Sequence, residues 1–365
     1  MAAPGALACV ARYLGVDELL WLRTVSRWMR FAATEALGVE LGWRPWTFRA
    51  ARPSRGADPA ADCARLRRLC AALGLPDRPT FSLQLVMDAA DTPFAPLYCS
   101  VDGLDVGITI CRTGAPTALP AAAPLPRLIE LNISGWDNAA VLAALTGDAP
   151  RLATVAFTCG YLRKPAAAAA VVTALGRCPA LTSLDLAQNS MRGESLALLG
   201  GLSRLTRLGL AANHAGAGAG AGGPLLAGAL GGLPRLTRLD LGANGLRADG
   251  LAAIAPALAR LPLVHLDLGA NDLGDEEFRG LLAETVSRLT GLTWLDLSAN
   301  DLFAVGADAL RLGATTGLTW LDLSGNGIPA GWVPAGTPWL TPLDFEGGNW
   351  GGGAAAGAPR GLYYI

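Results

Sequence analysis

"LTWLDLSANDL" (residues 292–302) recurs as "LTWLDLSGNGI" at 318–328. Both copies carry leucine at the first, fourth and sixth places and asparagine or its neighbours in the same frame, L-x-x-L-x-L-x-x-N. That frame also fits "LTSLDLAQNSM" from Leu181, "LTRLGLAANHA" from Leu205, "LTRLDLGANGL" from Leu236 and "LVHLDLGANDL" from Leu263. "LIELNISGWDN" from Leu128 and "LATVAFTCGYL" from Leu152 are weaker copies, and "LTPLDFEGGNW" from Leu340 is a degenerate last one. Successive starts lie 24, 29, 24, 31, 27, 29, 26 and 22 residues apart. Self-similarity at such a period marks an array in which each unit is one supersecondary element.

The spacing assigns each letter a task. A unit this short has one strand and one return segment, and strands of successive units stack in parallel at ~4.8 Å. Leu292, Leu295 and Leu297 then point between the strand layer and the return layer. No unit buries that face alone, so its neighbours complete the core. Asn189, Asn213, Asn244, Asn271, Asn300 and Asn326 are expected to form a ladder that satisfies backbone groups where the chain leaves each strand. The return segments read as helices: "DEEFRGLLAETVSRL" (275–289) places Phe278, Leu281, Leu282, Val286 and Leu289 on one stripe. The stretch "HAGAGAGAGG" (214–223) has G-x-G spacing, but neither a Rossmann context nor a Walker lysine, and reads as a low-complexity insertion.

On these residues the chain resembles leucine-rich repeat proteins of the ribonuclease-inhibitor-like class over residues 126–346. The resemblance implies an α/β solenoid, a horseshoe with parallel strands on its concave face and helices on its convex face.

At the other end, "PGALACVARYLGVDELLWLRTVSRWMRFAATEA" (4–36) holds two or three short amphipathic helices. Pro4, Leu7, Val10, Leu14, Leu19, Leu22, Val25, Ser26, Trp28 and Arg30 resemble an F-box. The first helix is one residue shorter than usual in that family, and the tryptophan comes one place early. The resemblance implies that Pro4, Leu7 and Leu14 dock on the adaptor of a cullin-RING ubiquitin ligase. The other reading of 1–36 is a helical cap over the first repeat, which a solenoid end needs.

Between the modules, residues 37–125 read as a connecting helix and strand region or as divergent first repeats. "WRPW" (43–46) and "RPSRGADP" (52–59) suggest a loop, "AADCARLRRLCAALG" (60–74) a helix, and "TFSLQLVMD" (80–88) a strand with period two. "LYCSVDGLDVGITICR" (97–112) suggests two further strands about a turn at Asp102-Gly103, and "APTALPAAAPLP" (115–126) a linker. Residues 347–365, rich in glycine and alanine, read as a flexible tail.

Composition narrows the function. Net charge is −1, with Lys164 as the single lysine, so the global balance favours neither nucleic acid nor an acidic membrane surface. No apolar run reaches the ~18–20 residues of a membrane span, and the N-terminus lacks a basic region before Asp17 and Glu18. Seven cysteines at irregular spacing form neither a disulfide framework nor a zinc pattern, which suits reduced thiols in the cytoplasm or nucleus. With only His214 and His265, no metal, cofactor or catalytic constellation is expected.

What remains is a surface. Between the second and third leucines of the copies stand Asn132, Ala156, Asp185, Gly209, Asp240, Asp267, Asp296 and Asp322. Two residues earlier stand Glu130, Thr154, Ser183, Arg207, Arg238, His265, Trp294 and Trp320. Residues two apart on a strand share a face, so both rows are expected on the concave side. The aspartates could take a cation or a basic peptide, or be solvated consensus. Arg207 to Trp320 spans roughly 19 Å at four strand steps, and arginine and tryptophan are enriched in binding hot spots. The tryptophans either bury against a partner or stack on one another and shield the array's end. The expected function is a non-enzymatic receptor that holds a protein substrate on the concave face, by resemblance the substrate-recognition subunit of an SCF-type ligase. A scaffold without a ubiquitin role is the alternative. A Ran-type GTPase-activating protein, also built on this repeat class, would need a loop arginine such as Arg163 or Arg192, and neither lies in a matching motif.

Overall fold

The computed structural model describes residues 47–51, 81–87, 104–111, 125–135, 142, 146, 149–160, 162–216, 222–274, 279–304, 310 and 317–328. The F-box-like segment with Pro4, Leu7 and Leu14, the helix expected at 60–74, the copy from Leu340 and the tail lie outside these residues. The chain divides into two compact units, Met1–Asn132 with Gly147–Leu152, and Ile133–Thr146 with Ala153–Ile365.

In the first unit, β1 (Thr47–Ala51), β2 (Phe81–Met87), β3 (Leu104–Cys111) and the start of β4 (Leu128–Ser134) lie in sequence order in the sheet. β1 pairs parallel with β2 from Thr47↔Ser82, and β2 with β3 from Phe81↔Leu104. β2 stands where alternation places a strand, and β3 coincides with the second of the two strands expected over 97–112, the first and its turn lying outside the described residues; Ile108 of β3 is fully buried. β1 was not legible: five residues between two proline-bearing stretches are too few to show a period, and pairing with β2 makes them a strand.

The second unit repeats one motif. β5 (Thr154–Thr158), β6 (Ser183–Asp185), β7 (Arg207–Gly209), β8 (Arg238–Asp240), β9 (His265–Asp267), β10 (Trp294–Asp296) and β11 (Trp320–Asp322) follow in order. Every neighbouring pair is parallel and in the register of the sequence copies. Return segments hold α1 (Pro165–Gly176), α2 (Gly193–Ala197), α3 (Gly222–Gly231), α4 (Arg247–Leu258) and α5 (Arg279–Arg288). α1 starts with proline at its first turn, where no intrahelical donor is needed. It buries Ala168, Val171, Val172 and Leu175 at helical spacing. In α5, Leu282 and Val286 face the core as expected, and Leu289 just beyond it is buried too. Leu281 is only half-buried. Thr285 goes inside instead, its hydroxyl donating to the Leu281 carbonyl at 2.7 Å. None of the described helices is long and apolar enough to cross a membrane.

The leucine frame is the core: Leu292, Leu295 and Leu297 are each 0% exposed. Burying one such side chain contributes roughly 1.5–3 kcal/mol. The asparagines form the expected ladder. Asn271 Nδ2 donates to the carbonyl of Leu268 in its own repeat at 3.0 Å and to that of Leu241 in the preceding one at 2.9 Å. Its Oδ1 accepts the amides of Asn244 at 3.1 Å and Leu246 at 3.2 Å. Each rung therefore ties two repeats together. Left-handed residues flank the rungs, such as Ala270 (φ 54°) and Asp272 (φ 56°), and the last described copy has Gly325 (φ 69°) and Gly327 (φ 64°) there. The copy from Leu152 departs for a steric reason: its rung position is Gly160, and a Cβ there would sit 1.9 Å from the buried Phe157 ring. Phenylalanine fills the space that leucine and asparagine share elsewhere, while the Gly160 amide still donates to Asn189 Oδ1 at 2.8 Å.

Candidate functional site

In the three-residue strands the middle leucine goes to the core, as in Trp294-Leu295-Asp296, where the pattern is half-buried, buried, half-buried. The two outer residues therefore share the opposite, open face of the sheet. The strand register brings the expected rows together: Arg207, Arg238, His265, Trp294 and Trp320 lie side by side, as do Asp240, Asp267, Asp296 and Asp322. Gly209 separates Asp185 from that run of four carboxylates.

In the first row the rings stack. His265 and Trp294 lie with centroids 3.6 Å apart and planes within 9°, and Trp294 and Trp320 at 4.1 Å within 2°. Identical residues at one register position stack because the strand spacing approaches ring thickness plus contact distance. The faces between the rings are consequently closed to a partner. The rings thus stack on one another, one of the two arrangements the sequence left open, and what the half-buried rings offer is a ribbon of edges. Arg207 is half-buried and Arg238 exposed at the other end of the row. Burial first, then the guanidinium groups of Arg238 and Arg207, hold the His265 imidazole down at about 4, so it is neutral at pH 7.

The aspartates do more than sit in solvent. Oδ1 of Asp240, Asp267, Asp296 and Asp322 accepts the amide two residues on, from Gly242, Gly269, Ser298 and Ser324, at 2.8–2.9 Å. Asp185 does the same with Ala187 at 2.9 Å. The side chain thereby closes the turn out of each strand, as Asx turns do. This structural task was missed in the sequence, although aspartate two places before a small residue in "LDLG" and "LDLS" is its signal. No arginine or lysine among the described residues forms a salt bridge with these four carboxylates; the described bridges are Arg247–Asp272 and Arg288–Glu284. Burial, then Asp240 and Asp296, and more weakly Asp322, push Asp267 up to about 7 against the opposing Gly269 bond. Burial likewise raises Asp185, Asp240 and Asp296.

A third row flanks the carboxylates. A Cβ on Gly242 would come 3.2 Å from Asp267 Oδ1, and one on Gly269 3.2 Å from Asp296 Oδ1 and 2.9 Å from Ser298 Oγ. Small residues here keep the carboxylates uncovered. Among the described residues one buried side-chain polar atom is left over: Ser183 Oγ has no hydrogen-bond partner. Among the described residues no group of His, Cys, Asp and Glu is arranged to hold a metal ion. Arg163 and Arg192 are exposed on the loops after β5 and β6.

No curated protein sequence matches the chain. The leucine-rich repeat-containing protein LegL7 from Legionella pneumophila is similar in structure at 19% identity and a TM-score of 0.45, over 76% of this chain and 81% of that one. An internalin (inlF) from Listeria monocytogenes is 17% identical with a TM-score of 0.38, over 72% and 71%. The TLR13 of a TLR13–ssRNA13 complex is 18% identical with a TM-score of 0.43, over 70% of this chain and 33% of that one. Residues 233–255, which contain β8 and most of α4, match the family model of a leucine-rich repeat, the unit that the strands and return segments of the second unit repeat.

Proposed function

We propose that this chain is a non-enzymatic receptor that holds a protein partner against the open face of its repeats. The observation that carries this is the row Arg207, Arg238, His265, Trp294, Trp320: large arginine and aromatic side chains at a strand position that the core leaves free. Such side chains concentrate binding energy because they bury much area at little entropic cost. The finer reading is a substrate receptor of an SCF-type cullin-RING ubiquitin ligase, with Pro4, Leu7 and Leu14 on the adaptor. It is supported by the F-box-like sequence at 4–36 joined to the repeats. Chemistry would then belong to other subunits.

Affinity purification with mass spectrometry tests both levels. Full-length protein is compared with Trp294→Ala/Trp320→Ala and with a deletion of residues 1–36. The expected result is that the double variant keeps adaptor and cullin but loses the substrate, while the deletion does the reverse. Recovery of a partner on the open face with no adaptor or cullin would leave a scaffold and sink the ligase reading. An unchanged set of partners in a double variant that melts like the wild type would sink the receptor reading.

A further inference from the structure

The repeat's own architecture uses only one oxygen of each of the four aligned aspartates, for its turn amide. The second oxygens of Asp240, Asp267 and Asp322 take no hydrogen bond among the described residues, and Ser183 Oγ is the one fully buried side-chain oxygen or nitrogen there without a partner, so none of these carboxylate oxygens is fully buried. Carboxylates on adjacent strands lie ~4.8 Å apart, close enough to repel. The run has walls: the edge ribbon of His265, Trp294 and Trp320 on one side and the small row of Gly242 and Gly269 on the other. It also has a polarity, because Arg207 and Arg238 stand at one end of the ribbon.

The geometry points to an extended, basic segment of a partner polypeptide as the occupant of this face, crossing β8 to β11 with arginine or lysine over the carboxylate row and apolar side chains along the ring edges. This rests on the protein-binding reading above and specifies its partner. Three strand steps cover ~14 Å, which about four extended residues span. Side chains of such a segment alternate in direction, so two basic residues separated by one other fit the row. Arg238 and Arg207 repel further cations at their end, which seats the basic residues over Asp267, Asp296 and Asp322. Nucleic acid is disfavoured by the same carboxylates, which would face its phosphates.

Binding is also linked to protons. Asp267 is faced by Asp240 from β8, Asp296 from β10 and Asp322 from β11, with His265 on its own strand and Arg238 next to that ring. A cation over the row favours the ionised carboxyl and releases the proton that Asp267 holds near neutrality. His265 stays neutral throughout that range.

Panning a phage-displayed random heptamer library on the immobilised full-length chain tests the proposal, followed by titration of the most enriched heptamer as a synthetic peptide. Asp296→Asn/Asp322→Asn is the comparison variant, because asparagine keeps an oxygen for each turn amide; its melting curve checks the fold. Enriched heptamers are expected to carry two or more arginines or lysines. The peptide should bind the variant at least ~10-fold more weakly and lose a similar factor on raising salt. It should also bind about tenfold more weakly at pH 6 than at pH 8. Basic heptamers that bind the variant as tightly as the wild type overturn the inference. Enrichment of uncharged or acidic heptamers that Trp294→Ala releases also overturns it, yet leaves the receptor reading standing. No enrichment at all removes both.

Discussion

At the residue scale, one side chain per repeat carries a disproportionate share of the fold. Asn271 is 0% exposed and serves three carbonyls and two amides of its own and the preceding repeat. Asn271→Ala leaves the Asn244 and Leu246 amides without an acceptor, at about 1–3 kcal/mol for each one that water cannot reach, while the Leu241 and Leu268 carbonyls keep Asn244 Nδ2 and Asn300 Nδ2. We expect a loss of at least ~2 kcal/mol in urea unfolding; a loss below ~1 kcal/mol would mean that water replaces the rung. Asp267 works in the opposite sense. Its folded value near 7 lies above that of an unfolded aspartate, so it binds its proton more tightly when folded. Its contribution is complete below pH ~4 and drains away as pH rises through 7. His265, held at about 4 against an ordinary 6.5, costs stability as pH falls through that interval. The two slopes oppose each other between pH ~4 and 6.5. Asp267→Asn keeps an acceptor for the Gly269 amide and removes the charge. Its melting temperature at pH 8 should exceed that of the wild type, by the equivalent of about 1–2 kcal/mol after solvent screening. Acidification from pH 6.5 to 4 should then destabilise the variant more than the wild type, and parallel pH curves for the two would refute the assignment.

Among the elements, β9, β10 and β11 are joined on their open side by the ring stack. A three-residue strand makes few ladder bonds, so side-chain pairs across strands contribute visibly to it. A double-mutant cycle of Trp294→Ala and Trp320→Ala should give a coupling of about 0.5–1.5 kcal/mol, the range of aromatic pairs. Additivity within ~0.3 kcal/mol would show that the rings merely lie together. The helices are less uniform than the strands. α2 spans Gly193–Ala197 and is followed by a 3-10 turn at Leu198–Gly201, whereas α1 and α4 have 12 residues each. A return segment has only to cover its own leucines, so its length and winding vary while the strand frame is fixed by its neighbours.

For the whole second unit, stability is expected to be a sum over nearest neighbours. Leu266→Ala removes a fully buried side chain of β9 and should cost about 2–5 kcal/mol. The damage should be local. Hydrogen exchange should speed up most at the amides of Leu241 and Leu268, which bond to Asp267 and Asp296 carbonyls at 2.9 Å. It should change least at Leu186, whose amide bonds to Gly209 farther along the stack. Equal acceleration at all three would show one cooperative body rather than a chain of repeats.

Sequence alone determined the repeat, its register and the membership of both open rows, because the leucines and asparagines recur in a frame that stacking imposes. Arg207, Arg238, His265, Trp294 and Trp320 could be aligned before any coordinates, since a strand has only two faces. Tertiary structure decided what depends on distances between repeats. It closed the tryptophan faces against each other, gave each aspartate a turn amide, and made Thr285 rather than Leu281 a core residue of α5. It also formed β1, whose five residues become a strand only through partners well along the chain, Thr47 opposite Ser82. Periodicity reports which way a side chain points. What it meets there depends on the neighbouring repeats, and so do the charge on Asp267 and the neutrality of His265.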